Sequence, residues 1–95
     1  MIRATSAAAG WEVPWAVAQV SYHSPEAPSH PTTREAQQRL WADGVAIEGP
    51  DTDLLVGDTR DFEGAGIHFS IKGCKLHGEA WEKSVAAWLD KLLKE

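Results

Sequence analysis

Apolar residues gather in two short runs, and longer segments of helical periodicity lie between and after them. The first run, residues 13–20, is apolar at nearly every position rather than at every second one. Such continuous runs are typical of parallel strands covered on both faces, so we predict a strand over residues 14–20. Pro14 fits this strand only at its first residues or at a sheet edge. The second run, residues 53–56, predicts another strand.

Two segments carry the signals of amphipathic helices. Thr32 and Glu35 form a capping box at the start of the first segment and Gly44 closes it, which predicts a helix near residues 33–43. In the second segment apolar residues recur every three or four positions, which predicts a final helix over about residues 70–93.

Shorter segments complete the pattern. The small, alanine-rich residues 1–9 predict the tail of a helix that Gly10 closes. Residues 21–31 carry three prolines and predict a long, irregular loop after the first strand. Residues 45–47 predict a short extended piece, and residues 49–51 predict a turn.

The order of these elements predicts the fold class. Helix, strand, helix, strand and helix follow one another, and a crossover of this kind places the two strands parallel with helices covering them. We therefore predict a single α/β domain over residues 1–95. So few strands make a small sheet, and at least one apolar strand edge is expected to stay open.

Charge and composition narrow the function classes. The formal net charge is −5 and the basic residues are scattered. Nucleic-acid binding needs a clustered Lys/Arg face, so we expect neither a nucleic-acid partner nor a membrane-surface role. No apolar run approaches the ~20 residues of a transmembrane helix. The N-terminus carries no hydrophobic core of a signal peptide. The sequence therefore does not specify the cellular compartment. The single cysteine excludes an internal disulfide.

The tryptophan content is high for a chain of this length. Five tryptophans are large enough to dominate the packing between layers, which is the role we expect for them. Stacking on a sugar is an alternative for the two that lie near the first strand. The tryptophans are Trp11, Trp15, Trp41, Trp81 and Trp88.

The candidate chemistry centres on His68. This histidine lies between a Gly-rich and Asp-rich loop, residues 57–67, and the start of the final helix. Many α/β hydrolytic enzymes present a general base in this way at the carboxyl edge of a sheet. An imidazole takes and returns a proton near neutral pH. The alternative is a histidine that caps or packs at a helix start.

Three segments, residues 14–22, 34–37 and 66–73, occur in an order that resembles a known family. They resemble the C-terminal third of the SGNH hydrolases, in particular the carbohydrate esterases similar to sialate O-acetylesterase and acetylxylan esterase. The resemblance covers roughly residues 10–93. It implies that the chain forms the C-terminal portion of a three-layer α/β/α, flavodoxin-like fold with parallel strands.

The family resemblance also implies a reaction. In the family a serine in a Gly-Asp-Ser motif follows the first strand, later Gly and Asn blocks complete the oxyanion hole, and an Asp-x-x-His block supplies the base. His68 matches this last histidine. The implied substrate is an acetylated carbohydrate, and no cofactor or metal is expected.

Two departures from the family pattern limit this implication. Ala65 stands three residues before His68, where the family has aspartate. Asp61 is our candidate for the partner carboxylate, Glu63 and Asp58 are alternatives, or the histidine works without one. The serine and oxyanion blocks have no counterpart in the chain.

No other hydroxyl fits the missing nucleophile. Thr59 follows Gly-Asp but stands only nine residues before His68, where the family separates the two blocks by most of the domain. Ser70 is better explained as a helix N-cap. Ser21 and Ser24 lie on the Pro-rich loop without a triad order or an oxyanion nest.

Metal binding is not favoured either. Cys74 and His77 have a spacing of i,i+3, but a small buried cysteine and a histidine on a helix face explain them better. The acidic residues of the central loops lack the spacing of a calcium loop and are expected to be solvated. They are Asp51, Asp53, Asp58, Asp61 and Glu63.

Two functional hypotheses remain. The first is the histidine-bearing part of a carbohydrate O-acetylesterase, inactive alone and active with a complementing N-terminal chain. The second is a non-catalytic α/β module that acts through self-association or a partner chain at its open sheet edge.

Overall fold

The computed structural model describes residues 1–94, which form a small mixed α/β structure. Three helices, two parallel strands and two short 3₁₀ turns make up this part of the chain. In order they are α1 (Ile2–Ala9), β1 (Ala16–Gln19), α2 (Pro31–Ala42), β2 (Ile47–Asp51), the turns Thr52–Leu54 and Gly57–Thr59, and α3 (Ile71–Lys94). The predicted α/β class and the predicted order of helices and strands are confirmed.

The two strands pair in parallel, but the partner of β1 is Ile47–Asp51 rather than the predicted segment 53–56. Ala16 lies opposite Ile47, and the pairing then shifts by one residue in β2 before the ends of the strands meet. This bulge lies at Gly49 and Pro50. A Cβ atom on Gly49 would come within 2.9 Å of the Val17 backbone, so the close approach of the strands requires glycine there.

The prediction of a second strand over residues 53–56 is wrong. The chain leaves the sheet at Asp51 and turns into the 3₁₀ turn Thr52–Leu54, which the Asp51 side chain caps. Leu54 is 75% exposed and Val56 47% exposed, so this apolar run lies on the surface. The strand instead includes residues 49–51, for which we predicted a turn.

The start of α2 also differs from the prediction. The N-cap is His30 rather than Thr32, and its ring nitrogen Nδ1 accepts a hydrogen bond from the Thr33 amide at 3.3 Å. Pro31 takes the first helical position, where the missing N–H costs nothing. The predicted end of α1 is confirmed, since Gly10 adopts φ 79° and its amide bonds to Ser6.

Helices cover both faces of the sheet. Trp15 and Val17 point to one side, where they meet Leu40 of α2. Ala16 lies on the other side, next to Trp88 of α3. Since neighbouring side chains of a strand point to opposite faces, α2 and α3 lie on opposite sides of the sheet.

The apolar core is very small. Among residues 1–94, Ala18 is the only buried hydrophobic residue, and it is still 8% exposed. Trp11 is 61% exposed, so the predicted packing role is wrong for this tryptophan, while the other four are partly buried. Large apolar side chains that remain well exposed include Val20, Leu54, Phe62, Ile67, Ile71, Leu92 and Leu93.

Gly73 fixes the start of α3 against the preceding turn. This glycine is the buried residue of α3, and a Cβ atom there would overlap the carbonyl oxygen of Thr59. Gly78, one turn further along the same helix, has open space around it. The two glycines of α3 therefore have opposite surroundings.

We predict opposite effects for alanine at these two glycines. Gly73→Ala should lower the free energy of unfolding by about 1–3 kcal/mol, because the overlap with Thr59 forces α3 away from its turn. Gly78→Ala should raise it by about 0.5–1 kcal/mol, since alanine favours an exposed helix over glycine. Urea unfolding of both variants measures this difference. A Gly73→Ala protein as stable as the Gly78→Ala protein would contradict this packing.

Candidate functional site

His68 lies in the loop directly before α3, as predicted. The residue is exposed, and within residues 1–94 its imidazole makes no hydrogen bond. Its carbonyl accepts a hydrogen bond from the Asp61 amide at 2.8 Å, and the next residue, Phe69, forms an antiparallel bridge with Arg60. The backbone on both sides of the histidine is thus held, while the ring faces solvent.

Asp61 contacts His68 through the backbone only. One carboxylate oxygen of Asp61 accepts hydrogen bonds from the amides of Glu63 at 3.0 Å and Gly64 at 3.3 Å, which closes the turn of the loop. The alternative partner Asp58 pairs with Lys72 at 2.7 Å. The pairing of a carboxylate with the imidazole stays a prediction.

Hydrogen bonds tie the histidine loop to the carboxyl ends of the strands. Tyr22 follows β1, and its hydroxyl donates to the Gly66 carbonyl at 3.0 Å. Arg60 donates from Nη1 to the Ile67 carbonyl at 2.9 Å and from Nη2 to Thr52, which follows β2. His68 therefore stands at the sheet edge where both strands end.

A buried carboxylate, Asp53, joins the elements beneath this loop. It accepts hydrogen bonds from the Ser21 amide at 2.8 Å, the Ser21 hydroxyl at 2.5 Å and the Tyr22 amide at 2.9 Å. Arg34 of α2 donates at 2.8 Å to Oδ2, the oxygen that also accepts the Ser21 hydroxyl, while both amides donate to Oδ1. One side chain thus connects the end of β1, the first turns of α2 and the end of β2.

Arg34 bridges two carboxylates. Its guanidinium forms a two-pronged contact with Asp51 at 2.8 and 2.7 Å and reaches Asp53 with the same Nη1 atom. The hydrogen bonds to Asp51 and then to Asp53 raise the pKa of Arg34 above its ordinary value. This fork is the geometry in which arginine recognises carboxylates best.

The hydrogen bonds of Asp53 decide its charge state. Burial alone would raise the pKa of this carboxyl, but the bonds from Ser21, Arg34 and the Tyr22 amide outweigh burial. The pKa of Asp53 therefore lies below its ordinary value, and the group stays ionised at neutral pH.

Arg60 is more deeply buried than Arg34 and has a different environment. It is 7% exposed, and its guanidinium lies 3.7 Å from the ring centre of Tyr22 and 4.3 Å from that of Phe69. Within the described chain its hydrogen bonds go to backbone carbonyls, those of Leu55, Ile67 and Thr52. Burial lowers the pKa of Arg60, and Tyr22 and Asp53 oppose that shift.

The hydroxyl groups weighed as nucleophiles have structural partners. Ser70 caps α3 as predicted, since its Oγ accepts from the Gly73 amide at 3.1 Å. Thr59 is buried and donates to the Val56 carbonyl. Ser21 donates to Asp53 and accepts from His30, while Ser24 accepts from an amide of its own turn.

Cys74 and His77, the two candidate metal ligands on α3, have different surroundings. Cys74 is exposed, so the predicted burial is wrong for this residue. The His77 ring packs on Phe69 with 4.7 Å between centres and accepts from the Trp81 indole at 3.0 Å. Within residues 1–94, no group of three or more His, Cys, Asp or Glu side chains is arranged to hold a metal ion.

Sequence reasoning missed the two residues that organise this edge. The predicted solvation is wrong for Asp53, which is 7% exposed, and no sequence signal points to Arg60. The family resemblance of residues 34–37 is the one sequence signal that points to the ion network of Arg34. No local pattern identifies Arg60, because its acceptors are backbone carbonyls of other segments.

Comparisons with protein-family models, with curated proteins and with solved structures find no match. Among residues 1–94, no helix has both the length and the apolar character needed to cross a membrane.

The low pKa of Asp53 predicts acid lability. A carboxyl whose folded-state pKa is depressed contributes stability above its unfolded-state pKa, near 3.8, and loses that contribution as the pH falls through the folded-state value. Urea unfolding should therefore show a loss of stability below about pH 4. Asp53→Asn should lower the free energy of unfolding at pH 7 by about 2–3 kcal/mol and flatten the acid limb.

Asp90→Asn provides the matched control for this experiment. Asp90 is exposed on α3, so its substitution should leave both the stability at pH 7 and the acid limb unchanged. An Asp53→Asn protein that keeps the full acid dependence would show that another group causes it.

Proposed function

We propose that this chain supplies the histidine-bearing part of a serine-dependent carbohydrate O-acetylesterase, and that it acts only when another polypeptide segment completes the site. One observation carries the proposal. The three segments that resemble the esterase family are far apart in sequence, yet they contact one another at a single sheet edge. Gln37 bonds to both backbone groups of Val20, Arg34 joins Ser21 through Asp53, and Tyr22 bonds to Gly66.

The exposure of His68 suits the role of an acid and base that works across an interface. A serine from the completing segment would attack the acetyl carbonyl while the imidazole takes its proton. The imidazole would then return this proton to the sugar oxygen as the acetyl–sugar bond breaks. Water hydrolyses the acetyl-serine in the same way, with His68 as base and then acid. The substrate class is an acetylated carbohydrate, and the oxyanion donors come from the completing segment.

The arrangement of layers supports the finer fold assignment. In this proposal the chain is the C-terminal portion of a three-layer α/β/α, flavodoxin-like fold of the SGNH type. Helices on both faces of a parallel sheet agree with such a fold. A completing segment would also cover apolar side chains that are exposed in this chain, such as Leu92 and Val20.

A non-catalytic module is the second candidate, and the edges of the sheet favour it. Ile47 donates to the Trp15 carbonyl at 2.7 Å, and alternate residues of a parallel strand face the partner. The amide and carbonyl of Ala16 therefore point away from β2. A strand from a second copy or a partner chain could pair there, whereas Pro50 removes a donor from β2.

The isolated chain should hydrolyse p-nitrophenyl acetate no faster than its His68→Ala variant. A general base contributes about 10²–10⁴-fold only when it has a positioned nucleophile to deprotonate. His23→Ala, which removes another exposed histidine, is the matched control. Saturable turnover by the isolated chain, with a serine-directed phosphonate labelling Ser21, Ser24, Thr59 or Ser70, would contradict the proposal.

Reconstitution separates the two candidate functions. We expect the neighbouring coding sequence to contain an apolar strand followed by Gly-Asp-Ser, with later Gly and Asn blocks. Co-expression of that segment should give esterase activity that His68→Ala abolishes and His23→Ala retains. A neighbouring sequence without these blocks, or activity that is indifferent to His68, would favour the non-catalytic module.

A further inference from the structure

Arg60 is a buried cation whose position is unusual for a small domain. It is 7% exposed, and its hydrogen bonds within residues 1–94 go to no carboxylate. A buried charge is retained only where many contacts compensate for its lost hydration. The contacts of Arg60 therefore indicate what this side chain holds together.

The guanidinium donates hydrogen bonds to three carbonyl oxygens, two in the segment after β2 and one in the histidine loop. Nε donates to Leu55 at 2.6 Å and Nη2 to Thr52 at 3.3 Å, both in the segment that follows β2. Nη1 donates to Ile67 at 2.9 Å, the residue directly before His68. One rigid fork thus links the end of the sheet to the backbone of the histidine loop.

Two aromatic rings hold the fork in its plane. Tyr22 and Phe69 approach the guanidinium at 3.7 and 4.3 Å from their ring centres. Phe69 directly follows His68, so the residues on both sides of the histidine contact the same guanidinium. Tyr22 also bonds to the Gly66 carbonyl at 3.0 Å, which fixes the loop at a further point.

We infer that Arg60 is a positioning residue for His68, holding the loop of residues 61–69 so that the imidazole stands at the carboxyl edge of the sheet. This inference rests on the proposed function. Arg60 touches neither the imidazole nor any reacting atom, and it acts through the backbone on both sides of His68. Lysine cannot replace it, since a single ammonium offers neither the planar fork nor the ring stacking.

The first test uses the chain alone and follows the loop itself. Arg60→Met keeps the aliphatic stem and removes the donors, and Arg39→Met on the exposed side of α2 is the matched control. Amide hydrogen exchange by NMR should speed up at least tenfold at Asp61, whose amide bonds to the His68 carbonyl. Amides in the middle of α3 should keep their rates. Unchanged exchange at Asp61 would overturn the inference.

A milder variant keeps the test decisive if Arg60→Met fails to fold. Tyr22→Phe retains the ring against Arg60 and removes only the bond to Gly66. It should speed exchange at Asp61 in the same direction with a smaller factor. Arg60→Lys should behave like Arg60→Met rather than like the wild type. Full protection of Asp61 in both Tyr22→Phe and Arg60→Lys would overturn the inference.

The second test uses the reconstituted esterase and separates this inference from the proposed function. Arg60→Lys should lower kcat by about 100-fold with KM unchanged, because a loop displaced by about 1 Å costs a factor of this size. If His68→Ala abolishes activity but Arg60→Lys leaves kcat unchanged, the positioning role alone is overturned. If His68→Ala retains activity, the proposed function is overturned and the positioning role with it.

Discussion

The carboxylate of Asp53 is the interaction on which the rest of this structure depends. Only 4% of the Asp53 side chain is exposed to solvent. Four donors from Ser21, Tyr22 and Arg34 surround it. It links the residues after β1 and the first turn of α2 to the segment after β2, together with the hydrogen bond from Thr52 to the Gln19 carbonyl and the ion pair of Arg34 with Asp51. The sheet is too short to fix these segments by backbone pairing alone.

This reliance on a buried charge follows from the small apolar core. Ala18 is the only buried hydrophobic residue among residues 1–94, so apolar burial provides little of the folding free energy. Hydrogen bonds made by polar side chains take over part of that role. Gln19, the most deeply buried large side chain, bonds to Gln37 and Gln38 of α2, and Trp41 donates to the Val17 carbonyl. Such polar contacts specify geometry more strongly than they add stability.

The sequence predicts those elements whose local pattern agrees with their place in the fold. β1 has a continuous apolar run and is covered on both faces, and α3 shows a clear helical period, so both were predicted near their observed bounds. β2 has the sequence Ile-Glu-Gly-Pro-Asp, which favours a turn. It is a strand only because Gly49 allows β1 to approach closely and because a strand at an edge tolerates Pro50. Those are tertiary conditions that no local pattern contains.

The same distinction applies to the candidate site. His68 could be located from sequence, because its loop and the helix that follows it carry a local signal. The residues that orient this loop could not be located from sequence, because Arg60 donates to backbone carbonyl groups, which every residue has. The two arginines therefore have separate roles at this edge. Arg34 neutralises the carboxylates that join the sheet to α2, and Arg60 extends the same rigid edge to the backbone around His68. An exposed imidazole on a loop held at both ends can meet a partner surface without losing much conformational entropy, which is the physical condition for completing a site across an interface.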